Sequence, residues 1–215
     1  MAFDITSHEL FDRLYEQKCP VCELINHCTE QHMDSFLYES VNDKDLRIKI
    51  RESKGLCNYH SYMLLKMGDP LAHAIIYSDL IDNAVLELKS KKAKKHKMSY
   101  QNNALCLFCA ERRDAEKRYI NAFIESFKYN NFAEKYKAGA LLCLPHLELA
   151  ISVKDNDITE KIKRVTLQKY DALLEDLSEL KRKHDYRFLD EPWTKSERKA
   201  WQKAVYVFCS KEGIR

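Results

Sequence analysis

Four short cysteine motifs are the residues of this chain whose types and spacing point directly to a chemistry. They are Cys19-Pro20-Val21-Cys22, Cys57-Asn58-Tyr59-His60, Cys106-Leu107-Phe108-Cys109 and Cys143-Leu144-Pro145-His146. Three thiolates and one imidazole make a closed tetrahedral zinc site with no open position for substrate, which is structural rather than catalytic chemistry. The order Cys-x-x-Cys then Cys-x-x-His occurs twice. The gap is 34 residues from Cys22 to Cys57 and 33 from Cys109 to Cys143, so corresponding ligands stand 86 or 87 positions apart. This register reads as a duplicated module. Each copy is expected to close its own site: Cys19, Cys22, Cys57 and His60 in the first, Cys106, Cys109, Cys143 and His146 in the second. Two Zn2+ ions are therefore expected, with iron–sulfur clusters as the second reading of the same thiols.

Other chemistries fit less well. A redox Cys-x-x-Cys belongs with a βαβ pattern, which is absent here, and each thiol pair already has a second pair to complete it. Haem attachment through Cys-x-x-Cys-His is excluded, because Glu23 and Ala110 follow the two pairs. Cys28 and His32 stand one helical turn apart on an apolar face. Their counterparts in the second copy are Ala115 and Tyr119, so core packing is favoured over further metal ligation. Cys209, beside Phe208, reads as a buried small hydrophobe. His8, His27, His73, His96 and His184 form no spaced cluster and read as surface residues. No phosphate-cradling glycine loop, zinc-protease His-Glu-x-x-His or Ser-His-Asp order is present, so no catalytic residue is assigned.

The elements that must position the motifs are helical. Apolar residues recur at helical spacing after each knuckle, and no alternating run is long enough for a strand. Thr6 to Glu9 fits a capping box leading to Leu10, Phe11, Leu14 and Tyr15. Leu24, Ile25, Cys28, Phe36 and Leu37 follow the first knuckle, and Ala115, Tyr119, Ile120, Phe123, Ile124 and Phe127 follow the third. Gly55 and Gly139 precede the two Cys-x-x-His knuckles. Asp69-Pro70 is an N-cap followed by a proline tolerated at the first helical position, opening a long helix with Ala74, Tyr77, Ile81, Ala84, Val85 and Leu88 on its inner face. Asp155-Asn156-Asp157 introduces its counterpart, with Ile158, Ile162, Val165, Tyr170, Leu173, Leu174, Leu177 and Leu180 inward. Thr194 to Glu197 is another capping box, and Trp201, Ala204, Val205 and Phe208 complete an unrepeated last helix. The expected architecture is all-α: residues 1–97 and 98–188 as tandem metal-stapled modules about a pseudo-twofold, and residues 189–215 as a C-terminal helix packed on them.

The 215 residues, 45% hydrophobic and 32% charged with four Gly and four Pro, are those of a helical protein with a real core. No apolar run approaches the roughly 20 residues that span a bilayer, and the N-terminus lacks the pattern of a signal peptide. A cytoplasmic protein is expected, where paired cysteines signify metal rather than disulfides. The net charge of +3 does not by itself imply a nucleic-acid or membrane partner. The lysine run Lys89 to Lys97 offers nucleic acid a contact, but a solvated helix end is the favoured reading.

The motifs Cys-Pro-Val-Cys-Glu-Leu, Gly-Leu-Cys-Asn-Tyr-His, Cys-Leu-Phe-Cys and Leu-Cys-Leu-Pro-His-Leu, with the Trp-bearing last helix, resemble an uncharacterised prokaryotic family known as a domain of unknown function. The resemblance covers most of the chain and matches all eight ligands. It implies a bacterial or archaeal cytoplasmic protein and brings no reaction, substrate or partner. The leading expectation is a non-enzymatic, zinc-stabilised interaction or scaffold protein that binds another protein. The alternatives are a thiolate-based redox or metal sensor and an enzyme with an active site between the modules.

Overall fold

The computed structural model describes residues 4–89, 106–153, 157–188 and 190–214, and among them the regular structure is helical, without a strand. The helices are α1 (Ile5–Arg13), α2 (Pro20–Ser35), α3 (Lys44–Glu52), α4 (Asn58–Met67) and α5 (Pro70–Lys89), followed by α6 (Leu107–Ser126), α7 (Asn130–Ala138), α8 (Leu144–Val153), α9 (Asp157–Lys183) and α10 (Lys195–Cys209). A π turn, Phe36–Ser40, continues α2, and a 3-10 turn, Tyr186–Phe188, follows α9. The order of lengths after each Cys-x-x-Cys is alike, since α3 and α7 each have 9 residues and α4 and α8 each have 10.

Side-chain acceptors set the helix starts. Asp43 accepts the N–H groups of Asp45 and Leu46 at 2.9 Å each, and Asp69 accepts that of Ala72 at 2.9 Å with Pro70 first in α5. Thr194 and Glu197 form the reciprocal box at α10. At α1 the cap is not Thr6. Asp4, whose backbone is extended as a cap requires, accepts the Ser7 N–H at 2.7 Å and starts the helix before Thr6.

The chain divides into two compact units, one of Met1–Asn26 with Glu116–Arg215 and one of His27–Ala115. Helices α2 and α6 each supply residues to both units.

The first unit is built around an aromatic cluster. Phe123, Phe132 and Tyr136 are fully buried, and Phe123 meets Phe132 and Tyr136 edge-on at 5.4 and 5.2 Å between centroids. Tyr136 keeps its hydroxyl satisfied, accepting the Leu142 N–H at 3.2 Å and bonding Thr166 Oγ1 at 2.7 Å. The other unit buries Met33, Phe36, Leu37, Ile50, Leu64 and Phe108 in one cluster.

Some inner faces differ from those expected. All six residues expected inward behind Cys109 are buried, five on α6 and Phe127 just past its end, but on α5 the buried residues are Ala72 and Ile76, and Ile81 and Leu88 lie open. On α10 the inward positions are Glu197, Ala200 and Val207, while Trp201, Val205 and Phe208 are 56%, 60% and 70% exposed. Cys209 is exposed rather than buried, and Cys28 and His32 are respectively half-buried and exposed rather than packed in the core. Of the lysine run, Lys89 ends α5 as an exposed residue, and the rest lies outside the described residues, as do Asp155 and Asn156. No helix among the described residues is long and apolar enough to cross a membrane.

Candidate metal centres

The first cysteine of every motif occupies the same place in its helix. Cys19, Cys57, Cys106 and Cys143 immediately precede α2, α4, α6 and α8, and their carbonyls accept the first helical bonds from Glu23, Ser61, Ala110 and Leu147. These are N-cap positions, so the second ligand of each motif, Cys22, His60, Cys109 or His146, falls at N3 on the same helix end. Cys57 also caps with its sulfur, which accepts the His60 N–H at 3.5 Å. Unpaired N–H groups and the positive end of each helix dipole favour thiolate there.

These helix ends meet in pairs, and the pairing is crossed. Cys19 and Cys22 meet Cys143 and His146, whereas Cys57 and His60 meet Cys106 and Cys109, with the four ligand atoms of each group within 4.8 Å of one another. The eight residues are those the sequence singles out, but each group takes its Cys-x-x-Cys from one half of the chain and its Cys-x-x-His from the other. The expected partition within each half is therefore corrected. Its physical cause in the first unit is a backbone contact. Ala140 N–H donates to Leu14 O at 2.9 Å and Leu141 N–H to Lys18 O at 3.1 Å, which brings the segment before Cys143 alongside the segment before Cys19.

The spacing within each group suits one ion. Zinc at about 2.3 Å from sulfur and about 2.0 to 2.1 Å from nitrogen gives tetrahedral edges of roughly 3.8 Å between sulfurs and roughly 3.5 Å from sulfur to nitrogen. In the first group Cys22 Sγ lies 3.7 Å from Cys143 Sγ, and His146 Nδ1 lies 3.3, 3.3 and 3.1 Å from Cys19, Cys22 and Cys143. In the second, Cys57 Sγ lies 3.7 Å from Cys109 Sγ, and His60 Nδ1 lies 3.2, 3.5 and 3.3 Å from Cys57, Cys106 and Cys109. Both histidines are fully buried and present Nδ1. The geometry can thus hold a cation in each group.

Outside the ligands the two groups differ in charge. Glu116 Oε1 lies 2.9 Å from His146 Nε2, the carboxylate–histidine arrangement that fixes a ligand ring and raises its basicity. Burial opposes protonation of His146, but its bonds to Cys143, Cys22 and Glu116 outweigh burial and push it up to about 11. Hydrogen bonds from Cys19 and Cys22, with His146 beside them, hold Cys143 well below the usual thiol range. In the second group Arg112 Nη1 stands 3.4 Å from His60 Nε2, and burial, with the Arg112 charge, pushes His60 down to about 4. Burial raises Cys57, and burial with the neighbouring thiols raises Cys109 to about 12. Arg112 Nη2 is buried with no hydrogen-bond partner. A guanidinium so placed suits an anionic centre, and three thiolates and an imidazole on a divalent ion carry about −1.

Helix α10 closes over the first group. Tyr206 OH accepts the Cys19 N–H at 3.2 Å and donates to Glu23 Oε1 at 3.3 Å, Lys211 pairs with Glu23 at 2.8 Å, and Ser210 Oγ lies 3.2 Å from Cys143 Sγ. Glu116, Arg112, Tyr206 and Ser210 have no counterpart in the motif pattern, and only the tertiary fold brings them in. The position of Glu116 at i+4 from Arg112 on α6 is visible in sequence, but its meaning is not.

Three comparisons bear on identity. The profile of a family of unknown function, DUF6062, matches residues 2–212. An "Uncharacterized 23.9 kDa protein in xynA 3'region" of Caldicellulosiruptor sp. (strain Rt8B.4) is 34% identical over 203 residues, covering 91% of this chain and 97% of that protein. No solved structure matches.

Proposed function

This chain belongs to the DUF6062 family of unknown function, and from that premise we propose a non-enzymatic helical protein, stapled by two zinc ions, that presents a surface to another protein. The observation that carries the surface is on α10. Trp201, Val205 and Phe208 recur at i, i+4 and i+7, all more than half exposed, on a helix held down along an adjacent stripe by Ala200 and Val207 and at its start by a buried Lys183–Glu197 ion pair at 2.9 Å. A stripe of large apolar side chains held rigidly in solvent is characteristic of a protein-binding face. An open groove of about 550 Å3, lined by Leu180, His184, Trp193, Arg198 and Trp201, adjoins it.

The zinc reading rests on four-ligand completeness and on the single-ion spacing. An iron–sulfur cluster interposes several atoms between its ligands and sets them farther apart than the 4.8 Å limit met here. Each ion would join two helix starts distant in sequence and stabilise by binding the native arrangement alone.

Two measurements test this. Elemental analysis of the purified chain should give two zinc ions and no chromophore, whereas brown colour with acid-labile sulfide would favour clusters. A photo-crosslinking residue at Val205 should give a discrete protein adduct in the producing cell, lost on Phe208→Ser with zinc content unchanged. An uncrosslinked monomer in both cases would remove the interaction role.

A further inference from the structure

Outside the two centres, the half-buried Cys28 and the exposed His32 on α2 face Glu111 on α6. Cys28 Sγ lies 3.8 Å from His32 Nε2, and His32 Nδ1 lies 3.3 Å from Glu111 Oε2. The thiol and the carboxylate thus address opposite nitrogens of one ring. Such a ring relays a proton between its neighbours, whereas one metal ion would need all three to converge, and they are not among the groups that do. Glu111 Oε2 is buried and has no aligned hydrogen-bond donor, and the His32 ring nitrogen is the polar group beside it. The side chain of His32 is 51% exposed, which leaves the ring open to small solutes.

From this geometry we infer that Cys28, His32 and Glu111 form a reactive-thiol site that exchanges with small soluble disulfides. His32 Nε2 takes the thiol proton as Cys28 Sγ attacks one sulfur of the disulfide. The new S–S bond forms as the old one breaks, the electron pair leaves on the departing sulfur, and that thiolate recovers the proton from His32. Cys28 sulfur is oxidised, the departing sulfur is reduced, and thiol plus disulfide give mixed disulfide plus thiol. Glu111 is the positioning residue, holding the ring and balancing its charge while it carries the proton.

The choice of a sulfur electrophile over an acyl group follows from the backbone. Cys28 is interior to α2, so its own N–H and that of Thr29 are spent within the helix. Acyl transfer needs such donors for the developing oxyanion, whereas displacement at sulfur develops none. This site is independent of the metal reading.

Cys209, exposed at the end of α10, supplies an internal control. The metal-loaded full chain is treated with bis(2-hydroxyethyl) disulfide, and modification at each cysteine is timed by peptide mass spectrometry. Cys28 should react at least about tenfold faster than the more exposed Cys209. His32→Gln should abolish that advantage while Cys209 and metal content stay as they were. Glu111→Gln should slow the Cys28 reaction and move its pH midpoint downward, because an imidazole without a carboxylate beside it gives up its proton at lower pH, and should leave Cys209 in place; Glu111→Asp should restore part of the rate. Equal rates at Cys28 and Cys209 in the unaltered chain, or a Cys28 rate indifferent to His32→Gln, would overturn the proposal.

Discussion

At the scale of single residues, crossed pairing makes a sharp prediction about metal stoichiometry. Cys19→Ser with Cys143→Ser damages one group twice, so that double variant should retain one ion, counted by elemental analysis. Cys19→Ser with Cys57→Ser damages both groups and should retain none. Pairing within each half of the chain predicts the reverse, so the two variants decide between the arrangements. All eight candidate ligands are legible in the sequence because their spacing is a property of helix ends: an N-cap and N3 pair is local and leaves a local trace. Which end faces which is set by the bonds from Ala140 and Leu141 to Leu14 and Lys18, and backbone bonds between distant segments leave no residue signature. The unlike neighbours of the two histidines lead to a second prediction. Glu116→Gln should weaken metal retention in the first group by about 10- to 100-fold, read as faster transfer to a colorimetric chelator, and leave the second group's rate in place.

At the scale of elements, Gly139 has a role that its resemblance to Gly55 conceals. Gly55 sits at φ +102°, where glycine is favoured. Gly139 instead ends α7 beneath the Leu14 carbonyl, and a Cβ there would come within 2.1 Å of that oxygen. Gly139→Ala must push the two segments apart, and the first group should lose its ion while the second keeps its own, as counted by elemental analysis. The α10 cap is a milder case. Thr194→Ala removes the acceptor of the Glu197 N–H and should cost about 1 kcal/mol in chemical unfolding. On α10 Trp201 and Phe208 outweigh Ala200 and Val207 in any count of apolar bulk, so apolarity alone selects the exposed face. Ala200 and Val207, seven residues apart, set the inward stripe and leave Trp201, Val205 and Phe208 about 100° round the helix, in solvent. Helix α5 shows the same limit, since Ala72 and Ile76 pack while the equally apolar Leu88 does not. On α6 the aromatic cluster left one apolar face and no ambiguity.

At the scale of the whole molecule, fold class was legible because every apolar pattern was helical, and each compact unit contains one complete ligand group. Metal removal should therefore loosen both units. Competition with a strong chelator should reduce helical circular dichroism and raise hydrogen exchange most strongly at the starts of α2, α4, α6 and α8. Acid should act in the same direction. Burial keeps Cys57 and Cys109 protonated at neutral pH until a cation displaces their protons, so uptake in the second group releases protons and its apparent affinity falls as pH falls.

The reciprocal sharing of ligands has a consequence for the chain as a covalent object. A protease cut anywhere between Lys89 and Cys106 would leave two fragments, each owning half of both centres, and the nicked protein should still migrate as one species in native electrophoresis. The fragments would part only when chelator is added and reunite when zinc is restored, so the ions would serve as two reversible rivets in place of the severed peptide bond.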